Sequence, residues 1–145
     1  MSGIVVGIDG SHNASHALEW AMTEAATRKT PLTVITVNSV PASYWTGKPV
    51  PFAGDEEKVA EIRKAAEAKV EEIAASLEGS KPESVTVTAL TGFPAQTLID
   101  ASKDSELVVV GSRGGGGFAS LMLGSVSHQV VHHAHCPVVI VPADR

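Results

Sequence analysis

Residues able to do chemistry gather at two places in the chain. Gly111-Ser112-Arg113-Gly114, nine further residues and then Gly124-Ser125-Val126-Ser127 put glycines and hydroxyls at the head of a predicted helix, and six of the thirteen glycines fall between positions 111 and 124. Glycine lets backbone amides approach an anion with no Cβ in the way. A helix beginning near Gly124 would add unpaired N–H groups and the positive end of its dipole, and Ser125 and Ser127 add hydroxyl donors. The pattern describes an anion site. A loop of punctuation glycines followed by serine N-caps has the same composition, so the segment alone leaves both readings open. Asp9, in Asp9-Gly10-Ser11, is equally double: a carboxylate acceptor, or a turn and helix-start signal.

The second cluster is histidine. His128 and His132 stand four apart, which on a helix puts two imidazoles on one face, as zinc sites require, and His133 and His135 follow. No carboxylate or thiolate joins them at a suitable spacing. A polar helix end, where partly charged imidazoles favour the dipole, is the preferred reading. The single cysteine, Cys136, has no partner for a disulfide or a C-x-x-C motif and reads as a small buried hydrophobe at the start of a strand.

The elements that must position these groups follow from periodicity. Gly3 to Ile8 is a β-branched run without polar alternation, suited to a strand buried on both faces. From Asn13 to Arg28, Ala14, Ala17, Leu18, Ala21, Met22 and Ala25 recur at steps of three and four, which predicts a helix. Leu32 to Val37 reads as a second strand. Asn38 to Gly54, with three prolines and two glycines around Tyr44 and Trp45, reads as a long loop. Val59, Ile62, Ala66, Val70, Ile73 and Leu77 mark a long helix from Asp55, closed by Gly79 and Pro82. Ser84 to Leu90 alternates as a strand, Pro94 to Lys103 reads as a short helix and Leu107 to Val110 as a buried strand. Gly124 to Ala134 then reads as a helix, and Val138 to Val141, between Pro137 and Pro142, as the last strand.

Strands alternating with helices through short connectors predict an open five-stranded parallel sheet with helices on both faces, in the common order 3-2-1-4-5. Ligands of such sheets sit beyond the carboxyl ends of the strands where the order reverses, between the first strand and the fourth. That is where Asp9 and the glycine loop meet.

Composition removes other classes of function. The 145 residues suit one domain, 1–145, with 43% apolar and 19% charged residues, a globular balance. The net charge is −5 and the Lys and Arg residues form no basic block, so no nucleic-acid partner is expected. No stretch is apolar enough to span a membrane and no basic-then-apolar leader opens the chain, so no membrane partner and a cytoplasmic location are expected. The G-x-x-x-x-G-K-[ST] sequence of P-loop proteins is absent. Aromatics able to flank a flavin are scarce, and the acidic pair and lysine of a response-regulator receiver are missing.

The spacing Gly-x2-Gly-x9-Gly-Ser, met by Gly111, Gly114, Gly124 and Ser125, resembles the ATP-binding signature of the universal stress protein family. Val6-Gly7-Ile8-Asp9-Gly10-Ser11, Thr91-Gly92-Phe93-Pro94 after the third strand, and Cys136-Pro137-Val138-Val139-Ile140-Val141-Pro142 extend the resemblance along the whole chain. It implies a Rossmann-like fold of the adenine nucleotide alpha hydrolase-like kind. It further implies that Gly111, Gly114, Gly124, Ser125 and Ser127 hold phosphates and that Asp9 accepts from the ribose hydroxyls. Val37, ending the second strand, would read the adenine through its backbone, with Gly7, Ile8, Val110, Arg113 and Val126 completing the wall. ATP with Mg2+ or Mn2+ bridging its phosphates is the implied ligand, and a homodimer through Val138, Val139, Ile140 and Val141 the implied assembly. A nucleotide-dependent stress-response and regulatory module is the expected function; a slow ATPase or phosphoryl or nucleotidyl transferase of related fold is the alternative.

Overall fold

The computed structural model describes residues 3–9, 12–39, 54–112 and 124–142, with the side chains of 12 and 13 left aside. Its elements are β1 (Ile4–Ile8), α1 (His12–Arg28), β2 (Leu32–Ser39), α2 (Asp55–Ser76), β3 (Val85–Gly92), α3 (Pro94–Ser102), β4 (Leu107–Gly111), α4 (Ser125–His133) and β5 (Val138–Val141). The five strands form one sheet in the order β3-β2-β1-β4-β5, and every neighbouring pair is parallel. The predicted order holds.

Strand periodicity divides the core in two. Ile4, Val6, Leu32, Val34, Leu107 and Val109 point to one face and pack with Ala17, Leu18, Ala21, Met22 and Ala25 of α1 and Ile73 of α2. Val5, Ile35, Val108 and Val110 point to the other and pack with Leu98 and Ile99 of α3 and Val130 of α4. The unbroken apolar runs of β1 and β4 are thus the signature of strands with a helix layer on each side. Small alanines let α1 lie close on the central strands. Its last turn closes by bonds from Thr30 N–H to the Ala25 carbonyl (3.0 Å) and from Lys29 N–H to that of Ala26 (3.2 Å). This is a Schellman end with Lys29, at φ 55°, in the place glycine usually holds.

Two expected boundaries move. β2 runs on to Ser39 and β3 to Gly92, because their pairing continues to Ser39↔Gly92. Asn38 therefore belongs to a strand rather than to the loop, Val37 does not end β2, and Thr91-Gly92 lies inside β3. Polar residues hid this extension, since backbone pairing needs no apolar side chain. Gly54, at φ 92°, is the N-cap of α2, whose first turn carries Asp55, Glu56 and Glu57 against the positive dipole end. Residues 40–53 of the expected loop, and Gly10 and Ser11, lie outside the described residues. Among the described residues no helix is long and apolar enough to cross a membrane.

Candidate functional site

A pocket of about 150 Å³ opens beyond the carboxyl ends of β1, β2 and β4. β1 contributes Gly7 and Ile8, with Asp9 following; β2 contributes Ile35 and Val37; β4 contributes Val110 and Gly111. Gly124, Ser125, Val126 and Ser127 close one side at the start of α4, Pro94 and Leu98 of α3 close the other, and Ala14 of α1 completes the wall. Asp9 and the described ends of the glycine segment therefore share one cavity at the point where the strand order reverses, as the α/β topology requires.

The backbone holds α4 against the sheet. Ser112 N–H donates to the Val141 carbonyl (2.9 Å), and the Ser112 carbonyl accepts from Gly124 N–H (2.7 Å). These two bonds tie the end of β4 to β5 and to the head of α4. Gly124, the N-cap, has no side chain with which to satisfy the first amides of the helix. The N–H groups of Ser125, Val126 and Ser127 are those a helix leaves without an intrahelical carbonyl, and these three residues line the pocket at the positive dipole end of α4.

The two serines differ. Ser125 is exposed, whereas Ser127 is only 3% exposed. The Ser127 hydroxyl donates to the Gly124 carbonyl at 3.0 Å, and it stands 3.4 Å from the Ser112 carbonyl. Its proton is thus committed within the protein. Sequence spacing could not separate these two roles, because which hydroxyl turns inward depends on how α4 sits on β4.

The pocket lining is mixed: Asp9, Ser125 and Ser127 share it with the apolar Ile35, Val37, Pro94 and Leu98. Ile35, Pro94, Leu98 and Ala14 were not among the residues expected here. For Ile35 the signal existed, since a strand period of two puts it on the same face as Val37. For Pro94 and Leu98 the i,i+4 spacing was visible, but their neighbour was not. Arg113 and Gly114 lie outside the described residues.

The rings of His128 and His132 have centroids 4.5 Å apart on the exposed side of α4, and His132 and His133 occupy its last turn beside the dipole's negative end. Among the described residues no group of three or more His, Cys, Asp or Glu could hold a metal ion. Cys136 lies just before β5 rather than in it and is half-buried; desolvation pushes its thiol pKa up, opposed by a backbone hydrogen bond at Val108.

The sequence profile of the Universal stress protein family matches residues 1–142. The chain belongs to the universal stress protein family. A universal stress protein of Mycobacterium tuberculosis is 38% identical over 142 residues, covering 96% of this chain and 47% of that protein. The chain thus spans about half the length of the curated relatives it matches. Among solved structures, a universal stress protein from Lactobacillus plantarum superposes with a TM-score of 0.78 at 23% identity, covering 97% of each chain. One from Archaeoglobus fulgidus, determined in complex with dAMP, gives a TM-score of 0.65 at 23% identity and covers 97% of each chain. The family's fold agrees with the sheet order described above.

Proposed function

We propose that this universal stress protein domain binds ATP as a regulatory ligand rather than turning it over. The observation that carries the reading is the mixed lining of one pocket, where the head of α4 and Asp9 share a cavity with the apolar Ile35, Val37, Pro94 and Leu98. A nucleotide is mixed in the same way, with an anion at one end and a flat, largely apolar base at the other. In this reading the α4 amides, Ser125, Gly111 and Gly114 receive the phosphates, with Arg113 as a nearby cation. Asp9 accepts from the ribose, and the base lies against Ile8, Val37, Val110 and Val126. The dAMP carried by the Archaeoglobus relative supports an adenine base.

Mg2+ or Mn2+ would enter on the nucleotide. No three metal-ligating side chains converge among the described residues, so phosphate oxygens and water would coordinate the ion, the usual arrangement for Mg2+. Asp9 is the one carboxylate on the described pocket wall, and it is assigned to the ribose, which leaves no general base in that wall for hydrolysis. Calorimetry with Mg-ATP and Mg-GTP tests the reading. Binding of ATP with GTP at least about tenfold weaker is expected; equal affinities would remove the adenine assignment, and rapid phosphate release would remove the binding-only role.

We propose further that the chain forms a homodimer through β5. Val108 N–H bonds the Pro137 carbonyl and Ser112 N–H that of Val141, so alternate residues of β5 face β4 and the backbones of Val138 and Ile140 face outward. An edge with such outward groups invites a second strand. The opposite edge is blunted, since Arg63 Nη1 donates to the Val87 carbonyl of β3 at 3.1 Å. A two-fold contact of β5 with itself would satisfy both copies at once.

A further inference from the structure

α3 contributes to the pocket through two residues one helical turn apart, Pro94 and Leu98, and it meets β1 at Gly7. A Cβ placed on Gly7 would lie 2.6 Å from Leu98 Cδ1, closer than carbon atoms approach, and a tight 3.1 Å from Cδ2, so the Leu98 methyls would have to shift. Gly7 is thus small because Leu98 occupies the space a side chain there would need. Leu98 is 3% exposed, packed among Val5, Ile35 and Ile99, and the same side chain forms part of the pocket wall.

We infer that Leu98, seated over Gly7, sets the depth of the base slot and is a ligand-contacting residue that fixes where a purine can lie. The inference rests on the nucleotide reading above. Its physical basis is that a close-packed wall cannot yield in two directions. An extra carbon at residue 7 must displace the Leu98 methyls, and the space next to them is the pocket. Gly7 itself need not touch the ligand. Its effect passes through Leu98, so the two positions are energetically coupled in binding.

The test is a double-mutant cycle read by calorimetry with Mg-ATP and with adenosine, each variant also being unfolded thermally. Gly7→Ala is expected to weaken both ligands about tenfold, as an extra carbon forced into a filled site does. Leu98→Ala removes the wall, and adding Gly7→Ala to it is expected to cost less than about twofold, since the clash is gone. Leu98→Phe fills the slot from the α3 side without altering β1, and the same loss is expected, which covers the case of a Gly7→Ala chain that does not fold. Equal cost of Gly7→Ala in both backgrounds, with ATP still bound by the wild type, overturns this inference alone, as does undiminished binding by Leu98→Phe. A wild-type chain that takes up no ATP overturns the nucleotide reading and this inference together.

Discussion

Ser125 and Ser127 are neighbours in one motif, and the structure assigns them different work that two alanine substitutions can separate. The Ser127 hydroxyl is buried and donates to the Gly124 carbonyl at 3.0 Å. That carbonyl also accepts from His128 N–H at 2.9 Å, so Ser127→Ala leaves no orphaned acceptor. The loss is therefore the net worth of one hydrogen bond, about 1 kcal/mol, without the larger penalty of an unsatisfied buried group. For a chain of this size that lowers the thermal midpoint by about 2–4 °C. Ser125 is exposed, so Ser125→Ala should change stability by less than about 0.5 kcal/mol. In the nucleotide reading its hydroxyl meets a charged phosphate, a bond worth about 1.5–3 kcal/mol, or roughly tenfold or more in affinity. Differential scanning fluorimetry and calorimetry with ATP and with adenosine read the two effects separately. Ser125→Ala should weaken ATP and leave adenosine unchanged, while Ser127→Ala should lower the midpoint. An unchanged ATP affinity for Ser125→Ala, or an unchanged midpoint for Ser127→Ala, would refute the division of roles.

Other consequences can be checked in the same protein. Lys29 holds a left-handed conformation at φ 55°, which costs an L-residue about 1–2 kcal/mol against glycine's smaller entropic penalty, so Lys29→Gly should raise stability by about 1 kcal/mol in urea titration. A lower urea midpoint would mean that the lysine side chain outweighs the strain. Leu18, the fully buried leucine of α1, should cost about 3 kcal/mol when cut to alanine, and a loss below about 1 kcal/mol would show that the helix collapses onto the cavity. Because burial raises the Cys136 pKa, less thiolate is present at pH 8 than for an unburied cysteine, and iodoacetamide should alkylate it more slowly; an equal rate would contradict the packing. Ile140→Pro removes an outward N–H from β5 while sparing its bonds to β4, so light scattering should fall from twice the chain mass to one. A wild-type monomer at tens of micromolar would remove the dimer itself.

Much of this architecture is a local property of the chain. Val5-Val6 and Val108-Val109-Val110 favour strands, because β-branched residues without polar alternation fit a surface buried on both sides. The steps of Ala17, Leu18, Ala21, Met22 and Ala25 leave no other arrangement than a helix with one buried stripe. The meeting of Asp9 with the Gly111 and Gly124 segment was likewise legible, since once five strands alternate with helices the reversal of order falls between β1 and β4. The ends of β2 and β3 were not, for Asn38, Ser39 and Thr91 carry no apolar signal and are held in strands by each other's backbones.

What tertiary structure alone decided is which surfaces meet. Pro94 and Leu98 look like any first turn of an amphipathic helix, and only the seating of α3 over β1 turns that face into a pocket wall and makes glycine the residue that fits at position 7. Ser125 and Ser127 have the same chemistry in sequence, and the way α4 packs buries Ser127, whose hydroxyl bonds the Gly124 carbonyl and lies 3.4 Å from that of Ser112, while leaving Ser125 at the surface. At the β3 edge of the sheet, Arg63 reaches from α2 to the Val87 carbonyl, a contact between segments that no periodicity announces. Propensity and periodicity act within a few residues of the chain, whereas these outcomes depend on contacts between segments far apart in it, whose distances are set only when the helices settle on the sheet.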